Sequence, residues 1–545
     1  MPFNDNPEQM SFSLGVNDSG GFAEADPVEP YYSWVNAVVE QVSADHPDKW
    51  FGLLAYTVVE PAPPFPLHPR VVPFFTQDRM AWADPQVEAD AKELLETWRT
   101  VASQLGLYDY IYGSPYLVPR VTPHLAQRTY SYAKRTGIIA QYSELYPNWG
   151  EGPKPWLRAK LLWDPDQDVD ALLQHWCQLA VGEAAAPYLQ QYYALWEQFW
   201  TERAPTTEWF QPKGTFQEFK TADYLEAVTD EDITTSRTLI DAVLAHPGTP
   251  EQQARAEKLA RAFDYYEVSA LSYPRDVPPP QTEQDTLALL TTLEAGWAGR
   301  VAAVQLREDL IEEFASDPVL VQPIAPTRGL LWGAWNQAEF WGIVDYLVAQ
   351  EPSGGAVTDW LEARATADES TQFTEFVQLA LGAARGTLPS LTANTSFEDG
   401  THWFLWVANR GELVRSTAQS HTGGSSVVAR ALERGGPAQH FPVKPGLIIT
   451  RAHVLAPAGG TYTGRVNFAM NLRNSTGAQI GVLSGNLLLI QPDQVGEWFT
   501  VDSISTIPET INGQAVTEAQ YVLTLDDFVD APEVYVDDIV VHQAP

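Results

Sequence analysis

The chain has 545 residues, of which 45% are hydrophobic and 19% charged, so it is long and apolar enough to form roughly two to four domains. It carries 70 acidic and 33 basic residues, for a net charge of −37. An acidic chain lacks the basic surface that attracts nucleic acids and anionic membranes, so neither is an expected partner. The lone cysteine, Cys177, excludes an intrachain disulfide.

The sequence predicts no cellular location. Its first residues lack the basic start and apolar stretch of a signal peptide. The sequence contains no run of about 18 apolar residues, so it predicts no membrane-spanning helix. Aromatic residues reach 12%, which suits stacking on sugars as well as core packing.

Short apolar segments alternate with helical patterns over the first 150 residues. The strand-like segments are Ser11–Val16, Trp50–Tyr56, Val71–Phe75, Tyr108–Tyr112 and Ile138–Tyr142, and the helical ones include Tyr31–Ala44, Pro85–Gly106 and Thr122–Thr136. This alternation predicts a parallel sheet covered by helices. A closed TIM-like barrel needs eight strands, so five indicate a partial (β/α) barrel whose open edges another chain would cover.

The pattern changes twice after residue 150. Residues 151–385 are mostly helical in spacing, and Gly386–Ser390 reads as a linker. Beyond it, strand-like segments with regular turn signals predict a jelly-roll β-sandwich. We therefore predict three domains: a partial barrel over 1–200, a helical domain over 201–385 and a sandwich over 386–545.

Residues 10–200 resemble a bacterial family known as domain of unknown function 4838. The segments that carry the resemblance are Ser13–Asp18, Leu53–Tyr56, Tyr108–Tyr110, Pro119-Arg120, Gly137-Ile138, Ser143-Glu144, Leu157–Pro165 and Gly182–Pro187. The resemblance implies a glycoside-hydrolase-like barrel related to α-glucuronidases and β-hexosaminidases. Its members are usually secreted and carry further barrel strands before the Asn-Asp segment.

Residues 390–545 resemble carbohydrate-binding modules with a galactose-binding-like jelly roll. The resemblance rests on Asn394–Gly400 with Trp403, on His421–Ser426 and on Val534–Val540. It implies a structural calcium ion, with Glu398 and Asp538 as ligands, since calcium prefers oxygen donors. Trp403, Trp406 and Trp498 are candidates for a sugar platform, although a sandwich also needs such side chains in its core.

Glycoside hydrolysis requires two carboxyls facing one bond. Asp18 and Glu144 are the predicted pair, because both follow strands whose carboxyl ends share one rim. The alternative is that Asp18 caps a turn and that Glu144 pairs with Arg120 or Arg158.

Other side chains near the same rim are candidates for substrate binding: Asn17, Tyr56, Arg79, Tyr110, Tyr112, Arg120 and Trp149. Aromatic rings would stack on pyranose faces, and the two arginines would hold a sugar carboxylate. The alternatives are an aromatic layer of the barrel and structural ion pairs.

The function predicted from the sequence is a glycoside hydrolase that acts on a polysaccharide or oligosaccharide, including uronic-acid polymers, without a catalytic cofactor. A non-catalytic carbohydrate-binding protein and an inactive truncated homologue are the alternatives.

Overall fold

The computed structural model describes residues 2–16, 26–113, 116–146, 148–210, 217, 222–246, 248–275, 277–321, 337–366, 371–484, 488–531 and 533–544. Its α-helices are α1 Pro2–Asp5, α2 Val28–Ser43, α3 Pro85–Val101, α4 Pro123–Thr136, α5 Lys154–Trp163, α6 Val169–Val181, α7 Ala186–Gln198, α8 Asp230–Ala245, α9 Pro250–Ser272, α10 Glu283–Phe314, α11 Gln337–Gln350, α12 Ala356–Ala365 and α13 Gln372–Ala384.

The strands are β1 Ser11–Ser13, β2 Trp50–Ala55, β3 Val71–Thr76, β4 Gly106–Tyr110, β5 Ala140–Glu144, β6 Phe404–Val407, β7 Glu412–Ser416, β8 Ser426–Arg430, β9 Leu432–Pro442, β10 Gly446–Leu455, β11 Arg465–Arg473, β12 Gln479–Ser484, β13 Leu488–Leu489, β14 Trp498–Ile507, β15 Thr510–Ile511, β16 Gln514–Ala515, β17 Glu518–Phe528 and β18 Val534–Gln543.

Residues cluster into two compact units. The first contains Met1–Ala270 and Asp309–Pro326, and the second contains Leu271–Glu308 and Thr327–Pro545. The three-domain division at residues 200 and 385 stays a prediction. No helix in the described ranges is long and apolar enough to cross a membrane.

The first unit is built on a five-stranded parallel sheet with strand order β1-β2-β3-β4-β5. Sequential order in a parallel sheet is the arrangement of a (β/α) barrel. A buried core of aliphatic and aromatic side chains joins the sheet to α2 and α3.

Local chemistry fixes where the intervening helices begin and end. α3 begins after Asp84, whose carboxylate accepts hydrogen bonds from the backbone N–H groups of Gln86 and Val87. It ends at Val101, because Ala102 adopts an extended conformation before β4. α4 ends at Thr136, because Gly137 takes the left-handed conformation that glycine adopts readily.

The second unit contains two antiparallel sheets. One has the order β14-β10-β18-β8-β7 and the other β12-β11-β17-β9-β6, with β13 paired to β11. Their inner faces form one apolar core, as in a β-sandwich. The predicted fold class, a partial parallel barrel with helices and a sandwich, is confirmed.

Helices cover the outer face of one of these sheets. Leu447, Ile449 and Ile504, on β10 and β14, belong to a core that also contains side chains of α11 and α13. The Trp341 indole N–H donates a 3.0 Å hydrogen bond to the Ser503 carbonyl, and Glu375 accepts one of 2.9 Å from the Leu447 N–H.

Candidate functional site

Strand pairing brings polar and aromatic side chains to the carboxyl ends of β4 and β5. In the parallel register Tyr108 pairs with Tyr142, and Tyr110 pairs with Glu144. Because side chains alternate along a strand, these four lie on one face of the sheet. The opposite face carries Asp109, which is buried against the helices.

The Glu144 carboxylate accepts two tyrosine hydroxyls. Tyr112 donates a 2.8 Å hydrogen bond to one carboxylate oxygen, and Tyr108 donates a short one to the other. Hydrogen bonds to a carboxylate are stronger than those between neutral groups. The two tyrosines therefore fix the position of a partly buried acid at the rim of the sheet.

Five tyrosines surround this carboxylate, and we call them the tyrosine rim: Tyr108, Tyr110, Tyr112, Tyr142 and Tyr146. Tyr108 stacks on Tyr142 with centroids 4.9 Å apart, and Tyr112 stacks on Tyr146 at 5.2 Å. The Tyr142 side chain is 58% exposed, whereas Tyr110 and Tyr112 are buried. The rim thus presents one open aromatic ring beside an anchored carboxylate.

Burial, reinforced by Glu144, raises the pKa of Tyr108 and of Tyr112 well above the ordinary value. Burial also raises the pKa of Tyr110, with a further contribution from Tyr56, whose side chain is hydrogen-bonded to it. The hydroxyls therefore remain protonated donors at neutral pH. Of the residues predicted to bind substrate, Tyr112 contacts Glu144, Tyr110 lies beside Glu144 in the strand register, and Tyr56 is hydrogen-bonded to Tyr110.

Beneath the rim lies a set of buried charges that we call the ion network: Asp78, Arg79, Asp109, Arg120, Glu151, Lys154 and Arg158. Arg120 pairs with Asp78, Arg158 pairs with Asp109 at 3.0 Å, and Lys154 pairs with Glu151. Lys154 also donates to the carbonyls of Tyr112, at 2.9 Å, and Arg120, at 2.8 Å. The network ties the segment that carries Tyr112 to α5.

Burial and neighbouring charges act against each other on the pKa values of this network. Burial raises the pKa of Asp78 and lowers that of Arg79. It lowers the pKa of Lys154 to about 8, against the opposing effect of Glu151. Burial also acts to lower the pKa of Arg120, but Asp78 and Tyr116 hold it above the ordinary value. Removing one member of a buried pair such as Asp78–Arg120 would leave an uncompensated charge.

The two arginines predicted to hold a sugar carboxylate belong to this network. Arg79 donates to the carbonyls of Phe75, Gln77 and Tyr108 and is 2% exposed. Arg120 is 4% exposed and donates to Asp78 and to the Tyr110 carbonyl. Arg120 is thus a member of a structural ion pair, whereas the Arg79 guanidinium is bound by backbone carbonyls. The predicted sugar-binding role of both arginines stays untested. Glu144 takes its hydrogen bonds from tyrosines, whereas Arg120 and Arg158 pair with Asp78 and Asp109.

Asn17, Asp18 and Trp149 are the remaining residues of the predicted site. Asn17 and Asp18 lie outside the described residues. Trp149 packs against Trp176 with centroids 6.0 Å apart and donates its indole N–H to the Arg255 carbonyl.

The sandwich tryptophans occupy separate environments. Trp403 packs on Phe397 with centroids 5.1 Å apart, and its indole N–H donates a 2.9 Å hydrogen bond to the Asn394 carbonyl. Trp498 lies 5.6 Å from the ring of His421. Trp406 lies on β6, at the edge of the other sheet. Their predicted sugar platform stays a prediction.

The two predicted calcium ligands have different partners. Glu398 accepts backbone N–H groups of Gly424 at 2.9 Å and Ser425 at 3.2 Å. Asp538 Oδ2 lies 2.6 Å from His421 Nδ1, and Asp538 Oδ1 accepts a 2.7 Å hydrogen bond from the Thr422 hydroxyl. Calcium binding by these residues stays a prediction.

Sequence reasoning missed most of the ion network and one histidine. Asp78 lies 42 residues from its partner Arg120, and Asp109 lies 49 residues from its partner Arg158. Glu151 and Lys154 are close in sequence, but their spacing is also that of an ordinary ion pair on a helix surface. His453 lies inside an apolar strand, where a lone histidine is ordinarily a packing residue. Tyr108 carried a usable signal, because it alternates with Tyr110 in β4 and with Tyr112 just after the strand.

Three solved structures illustrate what the chain is similar to. A family GH115 4-O-methyl-α-glucuronidase with specificity for decorated arabinogalactans matches at 12% identity and a TM-score of 0.39, covering 98% of this chain and 64% of that one. The chain thus spans 64% of that enzyme's length. The CBM22-1 xylan-binding domain of Paenibacillus barcinonensis Xyn10C matches at 16% identity and a TM-score of 0.22, covering 28% of this chain and 92% of that one.

A carbohydrate-binding module solved with β-1,4-galactotriose matches at 14% identity and a TM-score of 0.21, covering 28% of this chain and 99% of that one. No curated protein sequence matches the chain. Residues 3–194 match the family described as Domain of unknown function (DUF4838), which confirms the resemblance seen in the sequence.

Proposed function

We propose that this protein is a glycoside hydrolase that binds a polysaccharide or oligosaccharide along the tyrosine rim and uses Glu144 as one of its two carboxyls. The observation that carries the proposal is the Glu144 carboxylate, held by two tyrosine hydroxyls at the carboxyl end of a parallel strand. That end of the sheet is where (β/α) enzymes assemble their active sites.

In this proposal the tyrosine rim is the surface that binds the sugar. Aromatic faces pack on the apolar C–H faces of pyranose rings, while hydroxyl groups supply hydrogen bonds at the ring edges. Tyr142 presents an exposed ring next to Glu144. In this proposal a sugar bound on Tyr142 has its glycosidic oxygen within reach of the Glu144 carboxyl.

Asp18 is the proposed second carboxyl. Glu144 would protonate the leaving oxygen, and Asp18 would attack the anomeric carbon or activate a water molecule. In the retaining route Glu144 then takes a proton from the water molecule that releases the sugar from Asp18. In the inverting route Asp18 takes a proton from the attacking water molecule, and exchange with solvent restores both carboxyls. A sugar-binding protein without catalysis is the second candidate, favoured by the occupation of both Glu144 oxygens by tyrosine hydroxyls.

The test is a screen of the full chain against aryl glycosides, neutral polysaccharides and uronic-acid polysaccharides. Glu144→Gln and Asp18→Asn are assayed beside Glu93→Gln, which changes an exposed carboxylate on α3. Turnover that both site substitutions abolish and the control retains supports the hydrolase. Binding that Tyr142→Ala weakens, without turnover on any substrate, supports the second candidate. Turnover unchanged in Glu144→Gln overturns the proposed site.

A further inference from the structure

A second cluster of chemically active side chains lies in the sandwich, and it is independent of the proposed hydrolase site. His421 precedes β8, His453 lies in β10 and Asp538 lies in β18. β10 and β18 pair antiparallel, and their register shifts between Arg451 and His453. Asp538 has a φ of +46° at this irregularity. The bulge therefore turns the Asp538 side chain out of its regular alternation.

The three side chains converge. Their nearest potential ligand atoms all lie within 4.8 Å of one another. The rings of His421 and His453 stack with centroids 3.7 Å apart, and His421 Nδ1 lies 2.6 Å from Asp538 Oδ2. Two ligands of a tetrahedral zinc ion are separated by about 3.3 Å, so zinc binding would require the stacked rings to turn until one nitrogen of each points at the ion.

One buried nitrogen atom in this cluster has no hydrogen-bond partner among the described residues. This atom is Nδ1 of His453, which is shielded from solvent. A buried ring nitrogen without a partner loses the hydrogen bond that it makes in water. A metal ion coordinated by this nitrogen, by the other imidazole and by the carboxylate would satisfy the lone pair.

The surroundings hold the cluster in place and leave it accessible. Asp537 is fully buried and accepts the backbone N–H groups of His421, at 2.7 Å, and Thr422. This fixes the loop that carries His421. The side chains of His421 and Asp538 are 33% and 15% exposed, which leaves a solvent side where water would complete the coordination.

From this geometry we propose that His421, His453 and Asp538 bind a divalent transition-metal ion of the zinc class. Two imidazoles and one carboxylate are a ligand set that suits zinc and its neighbours, whereas calcium prefers oxygen ligands alone. The proposal requires neutral imidazoles and an ionised carboxylate as ligands, so any proton on the second nitrogen of each ring points away from the metal. It differs from the predicted calcium site, which involves Glu398 and no histidine.

The full chain, purified without a polyhistidine tag and stripped with a chelator, is titrated with zinc chloride by calorimetry, and bound metal is counted by mass spectrometry. We expect one zinc ion per chain. His453→Ala and Asp538→Asn should each weaken zinc binding by at least about 100-fold, more than the loss of an outer-shell partner costs. Excess calcium should not displace the zinc.

The matched control is His440→Ala. His440 lies in the same sandwich and forms a similar pair, with Nδ1 2.9 Å from Glu518, but no second histidine joins that pair in the described residues. Its zinc affinity should equal that of the unmodified chain, and circular dichroism checks that every variant is folded. The proposal is overturned if folded unmodified chain binds no zinc, if folded His453→Ala binds it equally well, or if calcium displaces it stoichiometrically.

Discussion

The Tyr112 hydroxyl donates a 2.8 Å hydrogen bond to Glu144, from a ring that is itself 5% exposed. A hydrogen bond to a charged group contributes about 1.5–3 kcal/mol when it is sheltered. This bond lies at a partly open rim, so we expect its contribution to be near the lower limit of that range. Tyr112→Phe should therefore reduce kcat about tenfold. Steady-state kinetics on a substrate found in the screen measures it.

Tyr146→Phe is the control for that substitution, because phenylalanine keeps the ring that stacks on Tyr112. Its kcat should stay near that of the unmodified enzyme. An unchanged kcat in Tyr112→Phe would show that the hydroxyl does not position Glu144.

The ion network predicts a large effect on stability. Asp78 and Arg120 are both buried, so Asp78→Asn leaves a guanidinium without its counter-charge. Breaking a buried pair in this way costs about 3–5 kcal/mol of unfolding free energy. Urea unfolding followed by tryptophan fluorescence measures the shift. Glu96→Gln, which breaks the exposed Arg99–Glu96 pair, should leave the midpoint near its original value.

Two glycines with positive φ give a matched packing test. Gly152 has a φ of +54°, and a Cβ added there would lie 2.0 Å from the buried Tyr193 hydroxyl oxygen. Gly137 has a φ of +73° but no atom within 4 Å of such a Cβ. Gly152→Ala should therefore cost about 3 kcal/mol or more, and Gly137→Ala about 1 kcal/mol. Equal shifts in the urea midpoint would contradict the close approach of Tyr193.

His124 predicts a pH dependence. Its Nδ1 lies 2.7 Å from Glu197, and that hydrogen bond, together with the charges of Glu197 and Asp170, raises the pKa of His124 to about 9. Because the folded pKa lies above the ordinary value of 6.5, the stabilisation is fully present below about pH 6.5 and is lost as the pH rises through about 9.

The Tm difference between the unmodified chain and Glu197→Gln measures this contribution. We expect the difference to be largest near pH 6 and to shrink toward about pH 9.5. Asp170→Asn, which removes a longer 3.2 Å contact, should reduce Tm less at the lower pH. A difference that does not vary with pH would show that His124 is not the titrating group.

The sequence predicted the parallel strands because each is a short apolar run followed by a turn and a helix. The helix after β3 was predicted to extend to Gly106, but α3 ends at Val101. The prediction was too long because the helical spacing of the sequence continues past the last helical residue. The sequence also placed Glu144 near Tyr110 and Tyr112, since the ends of neighbouring parallel strands meet at one edge.

Contacts between distant segments were beyond such reasoning. Nothing local to Asp78 indicates that Arg120, 42 residues away, neutralises it. His421 and His453 meet only because β8 and β10 both flank β18 in the folded sheet. Pairings of this kind depend on tertiary register, which a single sequence does not encode in its periodicity.

The apolar outer face of the sheet that contains β10 and β14 has a practical consequence for how this protein is divided in the laboratory. A fragment starting at the linker, Gly386–Ser390, would expose Leu447, Ile449 and Ile504 to water, since α11 and α13 would be missing. Such a fragment would tend to aggregate through that face. Expression boundaries for the sandwich therefore belong upstream of the helices, so that the sheet keeps its cover.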